Sequence, residues 1–93
     1  MFTSTRNKGF QLTFDNDWTI SVQFGYGNYC ENRNHPEGYG FNEHIEIVSS
    51  SDAEIAVWNG NGDWYDFEND QVKGYCSVEE VADWIEKVRK FKK

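Results

Sequence analysis

The chain has 93 residues, a formal net charge of −7 and an isoelectric point of about 4.6. This length fits one domain spanning residues 1–93. The net negative charge disfavours direct binding of nucleic acid or of an anionic membrane surface. No apolar run approaches the roughly 18 residues that a membrane-spanning helix needs, and residues 1–8 lack the apolar stretch of a secretion signal. We therefore expect a cytoplasmic protein.

Two segments with alternating apolar and polar residues come first in the chain. They predict strands over residues 10–15 and 18–24, joined by a tight turn at Asp15, Asn16 and Asp17. Further strands are predicted over residues 44–48, 54–58 and 64–67, with a short extended segment over 72–76. The sequence Asn-Gly-Asn-Gly at residues 59–62 is a strong hairpin signal; it outweighs the resemblance of Asn59, Asn61 and Asp63 to the start of a calcium loop.

A helix is predicted to end the chain. Ser77 and Glu80 have the spacing of a capping box, and apolar residues follow at helical spacing. Val78, Val81, Ala82, Ile85 and Val88 are expected on the face that covers the sheet. The predicted fold is therefore α+β. An antiparallel sheet of about five strands, arranged as hairpins in a meander over about residues 9–76, is packed by one C-terminal helix over about residues 77–91.

The loop over residues 24–33 contains the parts of a small-ligand site. Its glycines allow close approach of the backbone to a ligand, and Tyr26 and Tyr29 offer faces for stacking. Arg33 could contact a phosphate with two hydrogen bonds. This pattern predicts a site for a nucleotide-like molecule as one alternative. The other alternative is a structural or protein-contact loop whose tyrosines pack on the core.

Metal binding and catalysis find less support in the sequence. Cys30, His35, His44 and Cys76 have the chemistry of zinc ligands, but their spacing is not that of a zinc motif. Free, buried thiols are expected instead, although Cys76 precedes the helix, where a thiolate would be stabilised. No Gly-x-Ser-x-Gly sequence is present. We expect a protein that is not an enzyme and needs no cofactor or metal, with a small hydrolase as a third alternative.

The negative charge is concentrated in one part of the chain. Nine carboxylates and no Lys or Arg lie over residues 37–70, and the acids alternate with apolar residues. This alternation predicts strands with one strongly negative face rather than a disordered tail. Such a face attracts basic protein surfaces and can imitate the phosphates of nucleic acid. The predicted partner-binding residues are Glu46, Glu54, Asp63, Asp66 and Glu68.

Three parts of the chain together resemble small uncharacterised proteins of tailed bacteriophages and prophages. They are the strand pair over residues 9–24, the loop over 25–33 and the acidic hairpin before the C-terminal helix. The resemblance implies an accessory protein made in the bacterial cytoplasm. Many such small acidic proteins inhibit a host defence system, either by occupying a nucleic-acid-binding surface or by sequestering a nucleotide signal. The function predicted first is therefore inhibition of a host protein through the acidic face.

Overall fold

A computed structural model describes residues 1–5, 8–34 and 49–93, which form one antiparallel sheet packed by a C-terminal helix. This confirms the predicted α+β fold. Each described strand pairs with the next described strand along the chain, in the spatial order β1-β2-β3-β4-β5. The elements are β1 (Phe2–Ser4), β2 (Gly9–Thr13), β3 (Thr19–Gln23), β4 (Asp52–Trp58), β5 (Lys73–Ser77) and α1 (Val78–Arg89).

The sheet begins earlier than the sequence pattern predicts. β1 lies seven residues before the predicted start and pairs with β2 in the register Phe2↔Leu12 and Ser4↔Phe10. A strand of three residues is too short to show a periodic pattern. Its formation depends on pairing with the edge of β2, which the local sequence does not reveal. The strand predicted over residues 44–48 lies outside the described residues.

The strand predicted over residues 64–67 is wrong. Trp64 makes a single bridge to Trp58, and the Tyr65 N–H donates to the Val57 carbonyl at 2.8 Å. The chain then turns away, because Glu68 and Asn69 take left-handed backbone conformations with φ of 54° and 77°. Of the hairpin end predicted over residues 59–67, the turn at residues 59–62 is confirmed and the strand after it is not. Tyr65 and Phe67 pack against Trp84 of α1 instead of continuing a ladder.

The predicted capping box at the start of α1 is confirmed. The Glu80 N–H donates to the Ser77 hydroxyl and the Ser77 N–H donates to the Glu80 carboxylate, both at 3.1 Å. The other end of α1 is held by the turn between β2 and β3. The Asn16 side-chain amide donates to the carbonyls of Val88 and Phe91, each at 2.9 Å. These bonds satisfy carbonyls that the end of a helix leaves without an intrahelical partner.

The core lies between α1 and one face of the sheet. It is built from buried residues of β3, β4, β5 and α1, with Val81, Trp84 and Ile85 packed against them. The predicted helix face is wrong at Val78, which is 66% exposed, and at Ala82, which is also exposed. Both lie toward the solvent side of the helix. The buried members of the core are Ile20, Val22, Ala53, Ile55, Val57, Cys76 and Val88.

On β2 and β3, the opposite face of the sheet is polar and hydrogen-bonded within itself. The hydroxyls of Thr13 and Thr19 lie 2.8 Å apart, and the Gln23 amide donates to the Ser21 hydroxyl at 3.1 Å. Thr19 and Ser21 are buried, so these bonds compensate for the loss of water. No helix in the described ranges combines the length and the apolar character needed to cross a membrane.

Candidate functional site

A cleft of about 580 Å³ lies between α1 and the connection that leads from β4 into β5. We call it the aromatic cleft. Its volume falls within the range of about 300–1,000 Å³ that is usual for ligand sites. It brings together aromatic, acidic and basic side chains that are separated along the sequence. Its lining residues are Tyr65, Asp66, Phe67, Glu68, Asp70, Val72, Lys73, Gly74, Trp84 and Lys87.

Three aromatic rings in the cleft contact one another edge to face. The ring centroids of Phe67 and Trp84 lie 5.0 Å apart, those of Tyr65 and Phe67 5.0 Å, and those of Tyr65 and Trp84 5.5 Å. Edge-to-face packing is a favoured arrangement for aromatic pairs. All three residues are only half-buried. The triad therefore stabilises the packing of the connection on α1 and still presents aromatic surface to the cleft.

A cation of the protein itself already lies on this aromatic surface. The Lys87 Nζ lies 4.4 Å from the centroid of the Trp84 ring and 6.0 Å from that of Tyr65. Both distances are within the range in which the electron-rich face of a ring attracts a cation. Lys87 is exposed, and within the described ranges no carboxylate lies within 4.0 Å of its ammonium group. The ring faces are its attractive partners.

Acidic side chains line the cleft because the backbone turns sharply there. The carbonyls and N–H groups of Phe67 and Asp70 bond each other, closing a turn whose central residues have positive φ. The Asp66 carboxylate accepts a hydrogen bond from the Asn69 N–H, and the Asp70 carboxylate accepts one from the Val72 N–H at 3.2 Å. The turn thus places Asp66, Glu68 and Asp70 close together in an exposed segment.

The acidic segment forms no ion pair with the cations that the structure describes. Asp63, Asp66, Glu68 and Asp70 are all exposed. Among the described residues, no Lys or Arg nitrogen lies within 4.0 Å of any of these four carboxylates. Arg89 and Lys90 pair instead with Glu86, and Lys93 pairs with Asp17. The field of the acidic segment is therefore available to a partner.

The structure places the five predicted partner-binding residues in different surroundings. Asp66 and Glu68 line the aromatic cleft, and Asp63 lies in the turn before it, where its carboxylate accepts from the Asn59 amide at 3.4 Å. These three lie on turns and connections rather than on strands. Glu54 is on β4 and its carboxylate is bonded to a loop. Glu46 lies outside the described residues.

Carboxylates on β4, and one in the loop itself, hold the loop that was predicted as a ligand site in place. The Glu54 carboxylate accepts from the Tyr29 N–H at 2.8 Å, and the Asp52 carboxylate accepts from the Glu31 N–H at 2.7 Å. In the opposite direction, the Glu31 carboxylate accepts from the Ser51 N–H at 2.6 Å. These carboxylates therefore act as hydrogen-bond acceptors within the protein. Their structural role explains part of the acidity that the sequence pattern assigns to a partner.

β5 allows the same loop to approach closely. A Cβ on Gly74 would lie 2.6 Å from the Tyr29 Cβ, so only glycine fits at this position. Next to it, Tyr75 has a left-handed φ of 55°, and its N–H donates to the Tyr29 carbonyl at 2.8 Å. Asn32, which is 4% exposed, donates from its side-chain amide to the carbonyls of Phe24 and Ser49, each at 2.8 Å.

The loop uses its cation on itself. The Arg33 guanidinium carbon lies 4.2 Å above the centroid of the Tyr29 ring, and its Nη1 donates to the Gly27 carbonyl at 3.2 Å. Tyr26 is half-buried and also has an interaction within the protein. Tyr29 and Arg33 are therefore brought together as the ligand hypothesis requires, but a ligand would have to break their mutual contact. This geometry favours the structural alternative for residues 24–33.

Cys30 and Cys76 are both free and buried. Burial raises the pKa of each thiol above its ordinary value. The prediction that a position before α1 stabilises a Cys76 thiolate is therefore wrong, because desolvation outweighs the attraction of Lys73. His35 and His44, the other two zinc candidates, lie outside the described residues. Within the described ranges, no group of three or more His, Cys, Asp or Glu side chains is arranged so that it could hold a metal ion.

A second cavity of about 340 Å³ lies where α1 begins. Phe10, Val22, Val78 and Val81 contribute most of its apolar wall, and Ser49–Asp52 form a polar side. It adjoins Ser49, the first described residue after the undescribed stretch 35–48. Its described lining includes the rings of Phe10 and Phe24 and one carboxylate, Asp52, which already accepts from the Glu31 N–H, and it includes no Lys or Arg.

Trp84 and Lys87 were not predicted as functional residues. Neither belongs to the apolar helix face or to the acidic group that the sequence pattern predicts. Their three-residue spacing places both on one side of the helix, which is the signal that could have paired them. Nothing in the sequence shows that Tyr65 and Phe67 meet this pair, because that contact depends on the turn at Glu68 and Asn69.

Comparison with protein-family models, with curated proteins and with solved structures finds no match. The resemblance to small phage proteins therefore remains a hypothesis from the sequence. What the structure itself supplies is an acidic α+β domain with an aromatic cleft.

Proposed function

We propose that this protein binds a partner protein with a basic surface and has no catalytic role of its own. The observation that carries the proposal is the exposed acidic segment over residues 63–70, whose four carboxylates have no ion-pair partner in the described part of the chain. Uncompensated charge of one sign on a folded surface accelerates encounter with the opposite sign. The aromatic cleft next to it offers rings of the kind that anchor protein interfaces.

The resemblance to phage accessory proteins extends the proposal to a biological setting. The partner would be a protein of the bacterial host, and occupation of its basic groove by the acidic segment would inhibit it. Three observations support a surface role rather than an internal one. The acids are exposed, they flank aromatic side chains, and the remaining basic residues at the C-terminus do not neutralise them.

A double charge reversal tests the proposal. Asp63→Lys and Glu68→Lys remove two acids that hold little of the fold, since Glu68 has no side-chain hydrogen bond within the described residues and Asp63 has one at 3.4 Å. Immobilised protein is exposed to bacterial lysate, and the association rate of the captured partner is measured at two salt concentrations. We expect the reversal to slow association about tenfold or more and to weaken its salt dependence.

The matched control is the pair Asp15→Lys and Glu79→Lys, which changes net charge by the same amount at exposed positions away from the cleft. It should keep most of the capture. Glu54 is left unchanged because its carboxylate holds the loop at Tyr29. Equal capture by the two double variants would contradict the proposal and leave the acids as a solvated surface that maintains solubility.

A further inference from the structure

We propose that the aromatic cleft binds an arginine side chain in a basic segment of the partner, and that Lys87 occupies the same place in the free protein. The inference rests on the proposed function and adds the chemical group that is recognised. It also assigns a role to a residue that neither the acidic pattern nor the apolar pattern singles out. It follows from the aromatic rings, the internal cation and the shape of the cleft.

The three aromatic rings form a fixed surface in the cleft. Tyr65, Phe67 and Trp84 converge from two separate segments of the chain, with centroids 5.0–5.5 Å apart. Each is half-buried, so the triad is held in place by packing and keeps surface toward the cleft. A rigid group of ring faces beside carboxylates favours a cation that also has a flat, weakly hydrated surface.

Lys87 shows that a cation fits on this aromatic surface. Its ammonium lies 4.4 Å from the Trp84 ring centroid, although it is exposed and without a carboxylate within 4.0 Å in the described ranges. Lys87 lies one helical turn after Trp84, so the contact needs no other part of the fold. An ammonium group is strongly hydrated and is held here by rings alone, so a better-fitting cation can displace it.

The guanidinium group of arginine is that better-fitting cation. It is planar, stacks on aromatic faces and can bond a carboxylate through two parallel N–H groups. The cleft supplies both kinds of partner, since Glu68, Asp66 and Asp70 line it together with the ring triad. Glu68 makes no side-chain hydrogen bond within the described residues and is the carboxylate most available for such a pair. At about 580 Å³ the cleft also has room for residues on either side of the arginine.

Two variants separate the effect of the internal cation from that of charge alone. Lys87→Gln removes the ammonium from the Trp84 ring. Lys73→Gln removes an equal charge from another position in the lining of the cleft, where no ring contact of the ammonium exists within the described residues. Both changes make the cleft more negative, so any additional gain in Lys87→Gln reports the vacated ring surface.

The experiment is an NMR titration with three capped peptides of identical length. They contain two arginines, two lysines or two glutamines separated by glycines. The readouts are the indole N–H resonance of Trp84 and the backbone amides of residues 66–70. We expect the arginine peptide to shift both, the lysine peptide to shift them less, and the glutamine peptide to leave them unchanged. Lys87→Gln should bind the arginine peptide about two- to fivefold tighter than Lys73→Gln does, the factor expected for an exposed cation–π contact.

Shifts confined to the amides of residues 66–70, with no change at Trp84, would overturn the inference and leave the proposed function standing. Equal affinities of Lys87→Gln and Lys73→Gln would overturn it as well, because the ring contact would then not compete with the peptide. Failure of every cationic peptide to bind would also contradict the inference, whereas the proposed function is decided separately by the capture experiment with the double charge reversals.

Discussion

At the scale of single residues, Asn16 holds together two parts of the chain that are far apart in sequence. The nitrogen of its side-chain amide donates to carbonyls at the end of α1, and the side-chain oxygen Oδ1 accepts from the Trp18 N–H at 3.0 Å. Trp18 in turn donates from its indole N–H to the Lys92 carbonyl at 2.9 Å and packs edge to face on Phe91. The sequence pattern predicts Asn16 only as a turn residue.

Replacing Asn16 tests this contact. Asn16→Ala should lower the free energy of unfolding by about 1–3 kcal/mol, because several helix-end carbonyls lose a donor in a partly buried place. The measurement is urea denaturation followed by circular dichroism. Asn61→Ala is the matched control, since Asn61 is exposed and uses only its backbone N–H in the turn. Equal stability of the two variants would show that Asn16 does not hold the helix end.

At the scale of elements, α1 illustrates how a correct helix can be predicted with an inexact buried face. The capping box locates the start of the helix from local sequence alone. Its rotation about its own axis depends on which residues meet the sheet. The side chain of Val88 meets it and is fully buried, whereas Val78, at the first helical position, is 66% exposed.

The two valines offer the same substitution in two surroundings of one helix. Val88→Ala should lower the free energy of unfolding by about 1–3 kcal/mol, because it removes buried apolar surface and leaves a cavity. Val78→Ala should change it by less than about 0.5 kcal/mol, since alanine is the better helix former and little burial is lost. Thermal and urea denaturation measure both. A larger loss in Val78→Ala would mean that the helix docks by a different face.

At the scale of the whole molecule, the acids that the structure describes between residues 49 and 70 fall into two groups with different surroundings. Asp52 and Glu54 accept backbone N–H groups and hold the loop over residues 25–34 against the sheet. The acids over residues 63–70 remain exposed. Since a surface charge without a partner contributes little to stability, reversing members of the second group is expected to affect association rather than folding.

The rate at which the two cysteine thiols react measures how well the folded protein shields them from solvent. Cys30 and Cys76 are 2% and 1% exposed, and burial raises the pKa of both thiols. Because the thiolate is the reactive form, both should react slowly with a disulfide reagent at neutral pH and react readily in concentrated urea. Reaction should accelerate as pH rises toward the raised pKa values. Rapid labelling of either cysteine in the native protein, located by mass spectrometry, would contradict this burial.

The sequence by itself determined the elements whose signals are local. Alternation identified β2 and β3, an apolar segment between two turn signals identified β4, a capping box identified the start of α1, and Asn-Gly pairs identified the turn at residues 59–62. These signals suffice because period-two and helical patterns follow from backbone geometry alone. The α+β fold with an antiparallel sheet follows from their order along the chain.

The tertiary structure alone decided how individual side chains are used. It paired Phe2–Ser4 as an edge strand. It turned the chain at Glu68, so that residues 64–67 form no strand. It also brought Trp84 and Lys87 to the aromatic rings of a distant segment. The composition of the acidic stretch is the same whether an acid bonds a backbone amide or faces solvent. That difference is set by which groups the fold brings within hydrogen-bonding distance, and no local pattern encodes it.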